Sequence, residues 1–244
     1  MDQIDVEAEF IKFIRNFGGT VLEDVLSKSP NFSNADFIFD ADNIVAELKI
    51  LKDNKKDDFK IQEKVQSLFD EWVENGVIEP IYGEKVTIDS KNLPEKCQIK
   101  LLDVYKPHIQ RRIIKANKQI KKTIEKLKFD KGRGLLILVN DGNYALESEA
   151  VLYLVRRILG KSFRFINTII YCTVNMFANS NITEKATLVW VKATRDQFPC
   201  ISDEFTTKLF YSWVDHLKLT TGKDIEVILL DDSSKEINNM KYKI

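Results

Sequence analysis

Residues Asn34–Leu51 read NADFIFDADNIVAELKIL, and this stretch decides the fold. Ala35–Phe39 and Ile44–Leu48 are rich in β-branched and aromatic residues, and Asp40-Ala41-Asp42-Asn43 between them is turn chemistry, so the segment predicts a hairpin. Two loops are open: Asp40 pairs with Asn43 around two residues, or Phe39 pairs with Ile44 around four. Both have the same register, which sets Asp36 opposite Glu47. Directly opposed residues share a sheet face, with Cβ atoms about 5 Å apart. Because side chains alternate along a strand, Lys49 joins Glu47 on that face, while Ile44, Ala46 and Leu48 turn the other way. Two carboxylates and one ammonium group therefore converge.

This grouping suits phosphodiester hydrolysis. A hard divalent cation held by carboxylate oxygens polarises a phosphate and lowers the pKa of bound water. A lysine beside it orients the nucleophile or stabilises developing negative charge. Mg²⁺ accepts one or two protein carboxylates and completes its shell with water and substrate oxygens, and Mn²⁺ is the alternative ion. Zinc is not favoured: His108 and His216 lie far apart, and Cys97, Cys172 and Cys200 form no close-spaced ligand pair.

The arrangement resembles the PD-(D/E)XK nuclease superfamily, with its restriction-endonuclease-like fold. There an aspartate on one strand and an E-x-K on the next form a metal site. Asp36 matches the aspartate and Glu47-Leu48-Lys49 the E-x-K, while Ala35 stands where a proline is usual. The resemblance implies an α/β fold, a mixed central sheet flanked by helices, with Asp36 and Glu47 as metal ligands and Lys49 as a catalytic residue.

Lys106–Lys128, KPHIQRRIIKANKQIKKTIEKLK, has a helical period: Ile109, Ile113, Ala116, Ile120, Ile124 and Leu127 form one apolar stripe. Basic residues dominate the remainder, with Glu125 the lone acid. Arg111, Arg112, Lys115, Lys118 and Lys122 are therefore candidate nucleic-acid contacts, although 37 basic and 37 acidic residues leave the chain neutral. Gln119 falls on the flank of the apolar stripe beside Arg112 and Lys115. The superfamily resemblance implies that a helix after the E-x-K strand lends a glutamine or lysine to the site, which makes Gln119 an accessory catalytic candidate and Lys115 the next. If the helix immediately after Lys49 takes that place instead, Lys60, Gln62 or Lys64 competes.

At the N-terminus, Val6–Phe17 carries Val6, Phe10, Phe13, Ile14 and Phe17 on another helical stripe. In resembling nucleases the first core helix supplies a metal-binding glutamate. Glu9 is the preferred candidate, with Glu7 or Glu23 as alternatives.

A chain of 244 residues, 44% of them hydrophobic, is long enough to bury a sizeable core, and no low-complexity linker divides it. The expectation is one nuclease-like domain over 1–244 with a helical insertion at about 52–105. Within that insertion, Asp53–Asn75 predicts a helix and Glu84–Ile88 a strand. Beyond it, the apolar run Gly134–Val139 predicts a strand buried on both faces, ended by the turn residues Asn140–Asn143. Leu146–Leu159 and Asp203–Leu219 predict helices, and Phe165–Val174, Thr187–Val191 and Ile225–Leu230 predict strands.

Neither a nucleotide phosphate loop nor a serine nucleophile elbow is present. No secretory leader or bilayer-length apolar run is found, and the cysteines are scattered, so a cytoplasmic location without membrane attachment is expected. The functional expectation is a Mg²⁺- or Mn²⁺-dependent endonuclease acting on DNA, in restriction, defence or repair. Alternatives are a ribonuclease, or a catalytically silent nuclease-like module that binds nucleic acid or protein. Double-strand cleavage from one site per chain favours a homodimer, and a protein partner is the other way to supply DNA binding.

Overall fold

The structure is a computed structural model, and it describes residues 3–26, 32–52, 58–80, 90–143, 146–160, 163–176, 188–194 and 199–227. Helix α1, Val6–Phe17, keeps the bounds that the apolar stripe predicts. Asp5 caps its start by accepting the Glu7 and Ala8 N–H groups, which is typically worth about 1 kcal/mol. Gly18 ends it at φ 94°, a left-handed conformation that needs no Cβ. The chain then runs through β1 (Thr20–Val21), α2 (Leu22–Val25), β2 (Phe37–Phe39), β3 (Ile44–Leu51), α3 (Phe59–Glu74), α4 (Glu95–Leu127), β4 (Arg133–Asp141), α5 (Ser148–Leu159), β5 (Thr168–Val174), β6 (Trp190–Thr194) and α6 (Asp203–Thr221).

The six strands form one mixed sheet in the order β1-β2-β3-β4-β5-β6, flanked by helices in an α/β architecture. β1, β2 and β3 are successively antiparallel, β3, β4 and β5 are parallel, and β6 returns antiparallel. In the hairpin Phe39 faces Ile44 and Phe37 faces Ala46, so the loop has four residues. Asp40–Asp42 make one 3-10 turn and Asn43 closes it at φ 51°, a left-handed position that asparagine tolerates well. β2 is shorter than the expected Ala35–Phe39, because the groups before Phe37 bond outside the ladder. β3 is longer than expected, since it pairs with β4 as far as Leu51.

Pairing sorts the two faces of the sheet. Ile44, Ala46 and Leu48 join Leu135, Ile137, Val139, Ile170, Cys172 and Val174 in a core closed by α1 and α6, where Phe10 stacks on Trp213 with centroids 4.2 Å apart. Glu47 and Lys49 sit on the opposite face, level with Leu136 and Leu138 of β4. Gly134 is on that face too, and a Cβ there would meet the Phe165 carbonyl oxygen at 1.8 Å and Ile120 of α4 at 2.8 Å. Glycine thus lets the later half of α4 lie close against the face that carries Glu47.

The chain folds as two compact units. The first takes Met1–Lys52, Arg112–Gly142 and Lys161–Leu229, and so holds the whole sheet; the second takes Asp53–Arg111 and Asn143–Gly160, apart from a C-terminal stretch outside the described residues. In the second unit Asp103 pairs with Arg157 at 2.9 Å, and Trp72, Leu93 and Cys97 form a small core.

Helix α4 begins at Glu95, a full three turns before the expected Lys106, and carries Pro107 inside it. An internal proline costs about 3 kcal/mol and a hydrogen bond. Burial of Leu102 before it and Ile109 after it lets the helix run on. α3 begins at Phe59 rather than Asp53, where Asp58 accepts the Lys60 N–H as cap. β5 begins at Thr168 rather than Phe165, and β6 spans Trp190–Thr194 rather than Thr187–Val191. The expected strand Glu84–Ile88 lies outside the described residues. Of Ile225–Leu230 only 225–227 are described, and they form no strand.

Candidate active site

Asp36 immediately precedes β2, and continuation of the observed register sets it opposite Glu47. Its carboxylate is held by the backbone of the partner strand: Oδ2 accepts the Leu48 N–H at 2.8 Å. Its own carbonyl accepts the Leu22 N–H at 2.9 Å. Glu47 is fully buried, Oε1 accepts from the Lys49 ammonium group, and Oε2 has no hydrogen-bond partner among the described residues. Lys49 also donates to the Leu48 carbonyl at 3.2 Å. The structure therefore brings Asp36, Glu47 and Lys49 together as the strand pattern predicts.

Burial and the neighbouring Asp36 charge push Glu47 up to about 8, against the opposing pull of Lys49 and Lys115. Asp36 is raised by burial and, more weakly, by Glu7; the Leu48 N–H, Lys49 and Lys115 work against the shift. Two acids drawn above their ordinary values by desolvation, Glu47 also by the Asp36 charge, form a site that favours added positive charge.

The second half of α4 supplies the next layer. Gln119 is buried and donates Nε2 to the Asn34 carbonyl at 2.8 Å, while its Oε1 is buried without a partner among the described residues. One turn on, Thr123 is fully buried and its hydroxyl oxygen accepts the Ala35 N–H at 2.7 Å. One turn back, exposed Lys115 acts electrostatically on both carboxylates. Lys115, Gln119 and Thr123 are spaced at i, i+4 and i+8 along one edge of the helix. Thr123 is the residue that sequence reasoning missed. A polar residue four after Gln119, beside the apolar stripe, was the available signal.

Arg111 and Lys118 are exposed, and Arg112 and Lys122 are half-buried. Lys121 is engaged by Glu125 at 3.7 Å and lies over the Phe165 ring. Lys115, Lys118 and Lys122 make no salt bridge among the described residues.

Glu9 is a correction. It points into the α1–α6 side, where its carboxylate accepts from Lys12 at 2.7 Å and Thr220 at 3.3 Å and bonds His216 Nε2 at 2.9 Å. These residues, with Arg15 and Asn16, line a pocket of about 460 Å³. The reason is helical geometry: α1 packs Phe10 and Phe13 on the face of the sheet opposite Glu47, and Glu9 follows that face. Glu7 lies about 200° around the helix from Glu9 and is the α1 acid whose charge reaches Asp36. Glu23 is exposed, as are Lys60, Gln62 and Lys64 on α3 in the second unit.

Asn140 and Asp141 stay within β4 rather than opening a turn. Asn140 Nδ2 donates to the Tyr171 hydroxyl at 3.3 Å, and Asp141 accepts from Asn175 at 2.6 Å.

The donor set fits a hard cation. Glu47 Oε2 is a buried carboxylate oxygen, unpartnered among the described residues, next to a second raised carboxyl, and both are oxygen donors of the kind Mg²⁺ takes. Among the described residues no group of three or more His, Cys, Asp or Glu gathers to hold a metal. Comparison with protein-family models, curated proteins and solved structures finds no match. Among the described residues no helix is long and apolar enough to cross a membrane.

Proposed function

We propose that this chain is a divalent-metal-dependent nuclease of the restriction-endonuclease-like, PD-(D/E)XK class, hydrolysing phosphodiester bonds in DNA. The observation that carries this reading is half-buried Asp36 set opposite fully buried Glu47, whose Oε2 has no hydrogen-bond partner among the described residues, beside Lys49 on one face of the sheet. A purely structural strand pair has no use for two desolvated acids, since each buried charge is costly unless compensated.

Asp36 and Glu47 would hold one Mg²⁺ or Mn²⁺, which supplies Lewis acidity and a more acidic water. Lys49 sits beside Glu47 to orient the attacking water and to stabilise charge growing on the phosphate oxygens. Lys115 adds positive potential from α4, and Lys118 and Lys122 extend it along the exposed face of that helix to hold the phosphate backbone. Water attacks phosphorus, the phosphorus–oxygen bond to the leaving nucleotide breaks, and that oxygen takes up a proton.

The test is cleavage of plasmid, linear and single-stranded DNA, and of RNA, with Mg²⁺ or Mn²⁺, comparing wild type, Lys49→Ala and an EDTA control. Metal-dependent cutting lost in the variant supports the nuclease, and the preferred substrate separates DNA from RNA. Binding without cutting under every condition replaces it with a silent nucleic-acid-binding module.

A further inference from the structure

The link between α4 and Asp36 is a grip on a single peptide group. The Asn34 carbonyl and the Ala35 N–H belong to the same peptide bond. Gln119 Nε2 donates to the former at 2.8 Å, and Thr123 Oγ1 accepts from the latter at 2.7 Å. Both side chains are more than nine-tenths buried, and the contacts span more than 80 positions in sequence. Helical threonines commonly turn the hydroxyl to their own helix carbonyls. Thr123 instead offers its oxygen to the segment entering β2.

This placement matters because Asp36 lies outside the ladder, which begins at Phe37. Three hydrogen bonds take the ladder's place: the Leu22 N–H to the Asp36 carbonyl, the Leu48 N–H to its carboxylate, and the Thr123 bond at the preceding residue. The first two leave the chain on the N-terminal side of Asp36 unconstrained. Thr123 and Gln119 constrain it, and so set the direction from which the carboxylate approaches Glu47. Buried hydrogen bonds of this kind orient ligands around metal sites and strongly affect affinity.

We infer that Thr123 is a positioning residue for Asp36, fixing through its hydroxyl the peptide that aims this carboxylate at a divalent cation shared with Glu47. The inference rests on the nuclease reading above and deepens it.

The experiment compares wild type, Thr123→Val and Thr123→Ser in Mn²⁺ titration calorimetry, in cleavage rate and KM for DNA at saturating Mn²⁺, and in thermal midpoint in EDTA. Valine keeps the shape and removes the acceptor; serine restores it. Thr123→Val is expected to weaken Mn²⁺ binding about tenfold or more and to lower the rate with KM for DNA unchanged, while Thr123→Ser stays within about twofold of wild type. A purely structural role lowers the thermal midpoint and leaves Mn²⁺ affinity in place. Wild-type affinity and rate in folded Thr123→Val overturn the inference, as does a serine variant as weak as valine. If valine does not fold, Thr123→Ala carries the same comparison. Wild-type protein that binds no Mn²⁺ removes the nuclease reading and this inference together. Wild-type binding with an unaffected valine variant removes only the role of Thr123.

Discussion

The carboxylate of Asp36 accepts the backbone N–H of Leu48 at 2.8 Å, so the side chain of one strand entry is tied to the main chain of the strand that carries Glu47 and Lys49. One oxygen of Asp36 is thereby committed to holding the hairpin. Asp36→Asn retains an acceptor and the fold. Asp36→Ala leaves the Leu48 N–H without its partner, at a cost of about 1–3 kcal/mol. Both variants should lose metal-dependent cleavage, and denaturant melts should show only alanine markedly destabilised. Wild-type cleavage by either removes Asp36 from the site.

Lys49 donates to Glu47, so its removal separates catalysis from metal binding. Lys49→Ala should reduce cleavage by about a hundredfold or more, the scale for loss of one charge-stabilising donor. Glu47 then has one fewer competitor for a cation, and Mn²⁺ should bind as tightly as in wild type or tighter. Calorimetry alongside a plasmid assay reads both. Weakened Mn²⁺ binding with normal turnover contradicts this division of roles.

The pH dependence follows from Glu47, whose folded-state value of about 8 lies above the ordinary value of 4.5. Between those values the folded protein binds more protons than the unfolded chain, so metal-free stability falls as pH rises through the window and levels beyond about 8. Asp36, also raised, acts with the same sign. A bound cation reverses the penalty, so Mn²⁺ should raise the thermal midpoint more at the alkaline end than at the acid end of this window. Melts in EDTA and in Mn²⁺ across the range, with Glu47→Gln as control, give the answer. The control should show a much flatter EDTA profile, and an unchanged slope assigns the proton elsewhere.

Glu9 belongs to the α1–α6 side, with Lys12, His216 and Thr220. Glu9→Ala should cost about 1–3 kcal/mol, through loss of these bonds around a largely buried carboxylate, and leave Mn²⁺ affinity unchanged. Its signature is a lower denaturation midpoint with normal Mn²⁺ titration. Loss of metal binding at full stability restores Glu9 to the metal site.

The basic face of α4 should act through phosphates rather than bases. Lys118→Ala with Lys122→Ala should weaken binding similarly on unrelated DNA sequences and reduce the salt slope by about one for each lysine. Fluorescence anisotropy over a salt series measures this. A sequence-selective loss points to base contacts instead.

Local pattern made much of this molecule legible. The apolar stripe of Val6–Phe17 predicts the α1 bounds, and the alternation through Ile44–Lys49 predicts which side chains share a face. The hairpin register follows because turn chemistry and strand period are both short-range, and a one-residue slip would turn every core side chain of β3 outward. The continuous run in Gly134–Val139 likewise announces a strand buried on both faces.

Other features depend on contacts that no local pattern encodes. Helix α4 runs through Pro107 because residues on either side are buried, which outweighs the local signal for a start there. Sequence prefers Glu9 over Glu7, and only the packing of α1 against α6 turns Glu9 to His216 and leaves Glu7 to act on Asp36. Sequence alone determined that two acids and a lysine share one strand face, because side-chain alternation is a property of the backbone. Tertiary structure decided that Glu47 is desolvated and that Thr123 grips the peptide before Asp36, because burial and hydrogen bonding between distant segments exist only once α4 lies against the sheet.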